Sequence, residues 1–316
     1  MIFKKKKKSL QEHWINKAIL KGHTGWIYAI LFNKRYNFFA SASSDSTVRL
    51  WDSQNFNNLS ILKGHVGGIG SIIFFEKYNS LISGGDDFTI RYWDIEYSKN
   101  IRKYNGHLNS VVKITNHPHL NIFASGSKDN TIRLWDIRLK REISILFGHL
   151  DTVTSLTFNK ETPHIISGSL DNTVRFWDLC SKQKLVLIKN IGKKILEIHD
   201  IKNKEYFSYL TLNSINLCRN DGIFITKIKF TKNYNNCFSI NRYNQSVIGM
   251  SNGWIKYLNF ENKKNLSFLK ENENYSIQKT NENILSISFN ATGNQILSGG
   301  LQNTINVFTQ KWKMLH

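Results

Sequence analysis

The sequence is short of cysteine, proline and acidic residues, and each shortage removes a class of protein. Of 316 residues only three are cysteine, Cys180, Cys218 and Cys237. They form no CxxC pair, so they read neither as a disulfide framework nor as a thiolate metal site, and they suit a reducing compartment. Two prolines leave no proline-rich linker. No apolar run approaches the roughly 20 residues of a membrane-spanning helix. Met1-Ile2-Phe3 passes straight into five lysines with no apolar stretch behind them, so no secretory signal is expected. A soluble, intracellular chain with no membrane partner is the expectation. Acidic residues number 23 against 43 basic ones, a formal charge of +20. That balance fits an acidic partner such as nucleic acid. It equally fits AT-biased coding, because lysine and asparagine are scattered along the whole chain.

What is present is order at a fixed step. Gly-His occurs at Gly22-His23, Gly64-His65, Gly106-His107 and Gly148-His149, and Trp-Asp at Trp51-Asp52, Trp93-Asp94, Trp135-Asp136 and Trp177-Asp178. Both series advance by 42 residues (from His23 to His65, from Trp51 to Trp93). Between them lies a Ser-x-x-x-Asp element, then alternating apolar residues such as Thr131-Ile132-Arg133-Leu134-Trp135, the pattern of a half-buried strand. Three weaker copies follow, around Ser208 to Cys218, Ser251-Asn252-Gly253 and Ser298-Gly299-Gly300, which puts third-strand anchors at 51, 93, 135, 177, 218, 258 and 308. This period with these dipeptides resembles the WD-repeat propellers, which implies an all-β, seven-bladed closed ring.

The expected organisation is a basic, disordered tail over 1–13 and one propeller over 14–316. Residues Trp14 to Leu20 have strand character but no blade of their own, so they are expected to complete the last blade as its outer strand. The alternative is that Lys311 to His316 supplies that strand.

Four recurring polar sets stand out: His23/Ser41/Asp45/Trp51, His65/Ser83/Asp87/Trp93, His107/Ser125/Asp129/Trp135 and His149/Ser167/Asp171/Trp177. Ser, His and Asp together suggest a hydrolase. Four identical copies argue instead for buried braces, in which indole, hydroxyl, imidazole and carboxylate hydrogen-bond in a chain. Blades five to seven lack the set, with Leu212, Asn252 and Gln302 in the Asp slot, and are expected to be less rigid. No catalytic residue, cofactor or small-molecule substrate is expected. Gly64 to Gly70 is glycine-rich but lacks the Gly-Lys-Ser/Thr of a phosphate loop, and His117-Pro118-His119 has no further ligand at metal spacing.

Three positions per repeat are expected to reach a common face: three and five residues after the His, and the residue before the turn Asp. They are Trp26, Tyr28 and Ser44, then Gly68, Gly70 and Asp86, then Ser110, Val112 and Lys128, then Thr152, Thr154 and Leu170. Trp26 beside Tyr28 resembles a binding hot spot; the competing reading lays Trp26 down over core. The 259–283 linker reads as an exposed insertion, either a recognition loop or slack, with much of it on that same face. Lys4 to Lys8 reads as a nuclear localisation signal or an RNA-backbone contact, against a merely solvated tail.

The run from Trp93 to Leu108, Trp-Asp-Ile-Glu-Tyr-Ser-Lys-Asn-Ile-Arg-Lys-Tyr-Asn-Gly-His-Leu, is similar to the pleiotropic regulator family of pre-mRNA splicing proteins. Gly22-His23-Thr24-Gly25-Trp26 and the upstream Trp14 match that family's opening, and the likeness covers about residues 14 to 309. The resemblance implies a nuclear, non-enzymatic scaffold in the nineteen-complex part of the spliceosome, with other spliceosomal proteins as partners and RNA nearby. Trp135-Asp136-Ile137-Arg138 also resembles the WDxR motif of propellers that dock on cullin-RING ubiquitin ligases, which makes Arg138 an adaptor-contact candidate and a substrate receptor the alternative function.

Overall fold

A computed structural model describes residues 10–159, 164–179, 185–201, 206–220, 223–230, 235–241, 243, 245–259, 275–280, 283–290 and 292–314. They form seven four-stranded antiparallel sheets. Blade one runs outward through Ile27–Phe32, Phe38–Ser43, Thr47–Asp52 and Asn58–Lys63. Blades two to four repeat this order, with innermost strands Ile69–Phe75, Val111–Asn116 and Val153–Phe158. Those of blades five to seven are Ile195–Ile201, Asn235–Ile240 and Ile284–Phe289. Each innermost strand packs on the two beside it, and Ile284–Phe289 packs on Ile27–Phe32, so the ring closes. The fold is a seven-bladed β-propeller.

Blade seven is completed from the other end of the chain. Leu10–Lys21 pairs antiparallel with Thr304–Met314, from Lys21 opposite Thr304 to Leu10 opposite Met314. The N-terminal strand is therefore the outer strand, starting at Leu10 and not at Trp14. Lys311 to Met314 extends the third strand and does not supply a fourth. The lysines Lys4 to Lys8 lie outside the described residues. Trp14, 4% exposed, anchors the closure between Tyr257 and Phe289, with ring centroids 6.3 Å away in each case. Burying so large an aromatic stabilises by a few kcal/mol, about 25 cal/mol per Å² of apolar area removed from water.

Packing blade on blade explains the sequence of the middle strands. Phe38–Ser43 and Ile122–Ser127 are buried on both faces, so they read as runs of apolar and small residues without polar alternation. Each motif tryptophan fills the gap to the preceding blade. Trp93 sits among Val48, Leu50 and Leu62 of blade one, and Trp135 among Ile82, Ile90 and Tyr104 of blade two.

Every innermost strand carries a register shift at the same place, leaving Tyr28, Gly70, Val112, Thr154, Leu196, Asn236 and Leu285 unpaired in turn. Such bulges re-aim one side chain out of the pleat.

Two expectations about the weaker blades need correction. In blade five Phe207 pairs with Cys218, so the position equivalent to Ser41 is Tyr209, not Ser208. The connection between Thr211 and Ser214 has only two residues, Leu212 and Asn213, so the Asp slot assigned to Leu212 does not exist. Part of the 259–283 insertion is not a loop but the outer strand of blade six, Tyr275–Lys279. Trp254, next to the turn, pairs with Lys279, and Tyr257 pairs with Tyr275. The rest of that insertion, residues 260–274 and 281–282, lies outside the described residues.

Candidate interaction surface

In blades one to four the predicted sets are assembled. Trp51 Nε1–H donates to Ser41 Oγ at 2.8 Å, Ser41 Oγ lies 2.7 Å from His23 Nε2, and His23 Nδ1 lies 2.7 Å from Asp45. The other three repeat this, with indole–hydroxyl distances of 2.8, 2.8 and 2.7 Å at Ser83, Ser125 and Ser167. A carboxylate only accepts, so Nδ1 carries the imidazole proton and Nε2 accepts from the serine hydroxyl. All donors then point the same way, from indole to carboxylate. Burial holds the His23 and His149 rings below the usual imidazole range despite the neighbouring carboxylates, which fits neutral rings. Burial also opposes charge on Asp171, but the Thr173 hydroxyl, the His149 ring and the Leu150 N–H outweigh it and hold the carboxyl at about 2. The His23, His65 and His107 side chains are closed off from solvent.

Two further members of each brace had a signal in the sequence that went unread. Thr47, Thr89, Thr131 and Thr173 share the 42-residue step, and each donates its hydroxyl to the turn carboxylate at 2.6–2.8 Å. Arg49, Arg91, Arg133 and Arg175 share it too, each packed against the Gly of the Gly-His pair. A Cβ on Gly22, Gly64, Gly106 or Gly148 would lie 2.5–3.0 Å from a guanidinium nitrogen. Blade five builds a different brace from exchanged sizes. Tyr209 stands where blade one has Ser41, Cys218 stands where it has Trp51, and the two hydrogen-bond to each other.

The contact positions share one face but differ in exposure. Trp26 is 49% exposed and meets Tyr28 edge-on, centroids 6.4 Å apart. Asp86 and Lys128 are exposed and Leu170 half-buried, whereas Gly68 and Ser110 are buried and so depart from the expectation. Thr154 spends its hydroxyl on the Ile195 carbonyl of the next blade at 2.6 Å. Arg138 sits apart, at the opposite end of blade three beyond Ile132–Asp136. Its guanidinium clasps Asp136 at 2.6 Å, and its side chain remains 71% exposed.

A model of the WD domain, G-beta repeat, matches residues 14–52, 56–94, 98–136, 140–178 and 273–309, more than half the chain. This chain belongs to the WD-repeat family. Over 39 residues it is 36% identical to protein pleiotropic regulator PRL2 of Arabidopsis thaliana, a stretch covering 12% of this chain and 8% of that protein. The match thus spans a small fraction of the relative's length.

In this WD-repeat ring the innermost strands line a central channel of about 330 Å³. Ser71 and Ser155 each accept the backbone N–H of the next blade, from Ile114 at 3.0 Å and Ile198 at 2.6 Å. At the equivalent place in blade five Glu197 takes the Phe238 N–H at 2.6 Å and reaches across the channel to Lys113 Nζ at 2.9 Å. Burial would raise the Glu197 carboxyl; Lys113 and the His199 ring bring it down to about 2. Glu197 and Lys113 are 84 residues apart and share no motif, and sequence reading did not find them. Among the described residues no group of His, Cys, Asp and Glu is placed to hold a metal ion.

Proposed function

We propose that this WD-repeat protein is a non-enzymatic scaffold of the pre-mRNA splicing machinery. It acts in the nucleus within a nineteen-complex-associated assembly, with Lys4 to Lys8 as its targeting signal. The observation that carries the reading is the Trp93 to Leu108 run, together with the short identity to a pleiotropic regulator. Part of that run has a structural duty: the Arg102 guanidinium and the Tyr104 hydroxyl both donate to the Ile137 carbonyl of blade three. Glu96, Tyr97 and Leu108 are exposed. The absence of enzymatic activity is supported by the braces, whose serine and histidine side chains are sealed from any substrate. Protein partners would meet the face bearing Trp26, Tyr28, Asp86, Lys128 and Leu170. Affinity purification of the tagged chain from nuclear extract should recover spliceosomal proteins and small nuclear RNAs, and recovery of neither refutes the reading.

The alternative, a substrate receptor of a cullin-RING ligase, is favoured by the exposure of Arg138. Arg138→Ala should then abolish capture of the ligase adaptor; capture at the wild-type level removes this reading.

A further inference from the structure

The turns that leave the innermost strands, at the end of the ring opposite Trp26, carry a repeat of their own. Arg35-Tyr36-Asn37 in blade one and Lys77-Tyr78-Asn79 in blade two stand 42 residues apart. Both tyrosines leave a large ring in solvent, Tyr36 at 50% and Tyr78 at 44% exposure. Each ring is held by a phenylalanine in a near-parallel stack. Tyr36 lies on Phe38 at 5.9 Å and 11°, and Tyr78 on the buried Phe75 at 5.8 Å and 16°. Phe38 in turn meets Phe74, the neighbour of Phe75, edge-on at 5.5 Å. A run of ring contacts therefore ties Tyr36 to Tyr78 across the two blades.

Phe75 also lines a basin of about 670 Å³, together with Lys34, Arg35, Lys77, His117 and His119, which puts Tyr78 at its edge. The carboxylates of the basin are Glu76 and Asp200. Glu76 lies 3.5 Å from Lys34 Nζ and 3.8 Å from Arg35 Nε, and both basic side chains are more than half exposed. Exposed ion pairs of that length contribute little, so both cations are free to turn to a stronger anion. Lys77 Nζ rests over the Tyr78 ring at 5.4 Å. The stretch His117-Pro118-His119 has a role here too. His117 Nδ1 accepts the N–H groups of His119 and Leu120 at 3.1 and 3.0 Å, so the ring proton sits on Nε2. His117 thus gives the basin wall an N–H donor without carrying a charge.

We infer that this end of blades one to three binds single-stranded RNA, with bases stacked on Tyr36 and Tyr78 and phosphates held by Lys34, Arg35, Lys77 and His117. An exposed aromatic ring stacks on any base, and cations beside it follow the backbone, which is how proteins hold single strands without reading their sequence. An arriving base displaces the Lys77 ammonium from the Tyr78 ring onto the adjoining phosphate. A duplex offers phosphates but hides its base faces, so it uses only half of the site. An acidic protein segment would meet the cations and leave both tyrosines without a flat partner. The net charge of +20 draws a polyanion to the whole ring, and the tyrosines select where it settles. The choice of RNA over DNA rests on the splicing reading; the stacking and the charge do not depend on it.

Fluorescence anisotropy of fluorescein-labelled decauridylate, titrated with the purified full chain, tests this without any cellular partner. Binding should saturate. Tyr36→Ala and Tyr78→Ala should each weaken it by about fivefold or more. Tyr36→Phe and Tyr78→Phe should keep it, because stacking uses the ring and not the hydroxyl. Lys34→Gln combined with Lys77→Gln should make the slope of log affinity against log salt shallower by about 1.4, as loss of two phosphate contacts implies. A GC-rich RNA duplex of equal length should bind more weakly. The effects of the tyrosine changes should survive replacement of Lys4 to Lys8 by glutamine, which separates that lysine run from this site. Unchanged thermal melting of the alanine variants shows that the fold is kept. No saturable binding, indifference to both alanine changes, or equal affinity for the duplex overturns the inference. Competition by polyglutamate as strong as that by unlabelled decauridylate overturns it in favour of an acidic protein partner. Tighter binding of decathymidylate overturns the choice of RNA. Saturable binding with failure of the nuclear-extract purification would retain the site and discard the splicing role; the reverse result would do the opposite.

Discussion

Replacing Ser83 with alanine strands two buried groups at once. Ser83 Oγ accepts from Trp93 Nε1 at 2.8 Å and donates to His65 Nε2 at 2.7 Å, and Ser83 is fully buried. Each unsatisfied buried polar group costs about 1–3 kcal/mol, so Ser83→Ala should destabilise by about 3 kcal/mol. Trp93→Phe leaves Ser83 still donating to His65 and should cost about 2 kcal/mol, mostly lost packing against blade one. In the phenylalanine background the serine change strands only the imidazole nitrogen. The double variant should therefore be more stable than the sum of the singles by about 1–2 kcal/mol. Urea denaturation at constant slope gives the four free energies. A control pair in different blades, Ser83→Ala with Trp135→Phe, should add within about 0.5 kcal/mol. Additivity within that same margin for Ser83 and Trp93 would refute the continuous hydrogen-bond chain and leave the tryptophan as packing alone.

Acidification should lower stability in two windows. His23 and His149 are held below 6.5, so the unfolded chain binds more protons beneath that value and stability falls as pH drops through it. Asp45, Asp87, Asp129 and Asp171 are held below 3.8, so the stability they add is present above that value and is lost as pH falls further, towards about 2 for Asp171. A melting temperature that rises between neutrality and pH ~5 would contradict the first window. Trp14→Ala should cost about 3–5 kcal/mol, because it removes the anchor of ring closure, and should speed proteolysis of the first strand; a loss below about 1 kcal/mol would mean the ring closes without it. Gly148→Ala places a Cβ 2.5 Å from the Arg175 guanidinium at φ +150°, while Gly192→Ala meets no atom within 4 Å at φ +67°. The first should destabilise by more than the second's roughly 1 kcal/mol of backbone strain, and equal losses would dismiss the Arg175 contact. Glu197→Gln should destabilise by leaving the Lys113 charge unpaired in the channel, and adding Lys113→Met should recover most of the loss; denaturation midpoints decide.

The repeat was legible because the braces recur at one step: His23, Asp45 and Trp51 reappear unchanged three times, and ring closure followed from the unassigned strand around Trp14. Blade five was misaligned by one residue because its pair is inverted in size. Tyr209 and Cys218 fill the volume that Ser41 and Trp51 fill in blade one, so an alignment seeking small then large finds the neighbouring Ser208 instead. The bulges left no mark in composition, since Tyr, Gly, Val, Thr, Leu and Asn all occupy them. The Lys113–Glu197 pair escaped notice because the ring alone brings those residues together.

The braces lie directly beneath the variable positions, and this links stability to recognition. Asp87 takes the N–H of Val66 in the loop before the innermost strand and that of Thr89 in the turn after the second strand. Those two segments carry Gly68 and Asp86, just as the segments joined by Asp45 carry Trp26 and Ser44. A repeat can therefore change the residue before its turn aspartate, from Ser44 to Asp86 to Lys128 to Leu170, while the carboxylate next door keeps the backbone in place. Side chains held on a pre-ordered backbone lose less freedom on binding, so the same contact yields higher affinity. Weakening a brace should then loosen partner binding even though no brace residue touches the partner. It should do so through the blade whose brace is cut: Asp87→Asn should speed amide hydrogen exchange at Gly68 and Asp86 more than Asp171→Asn does, although both remove an equivalent carboxylate.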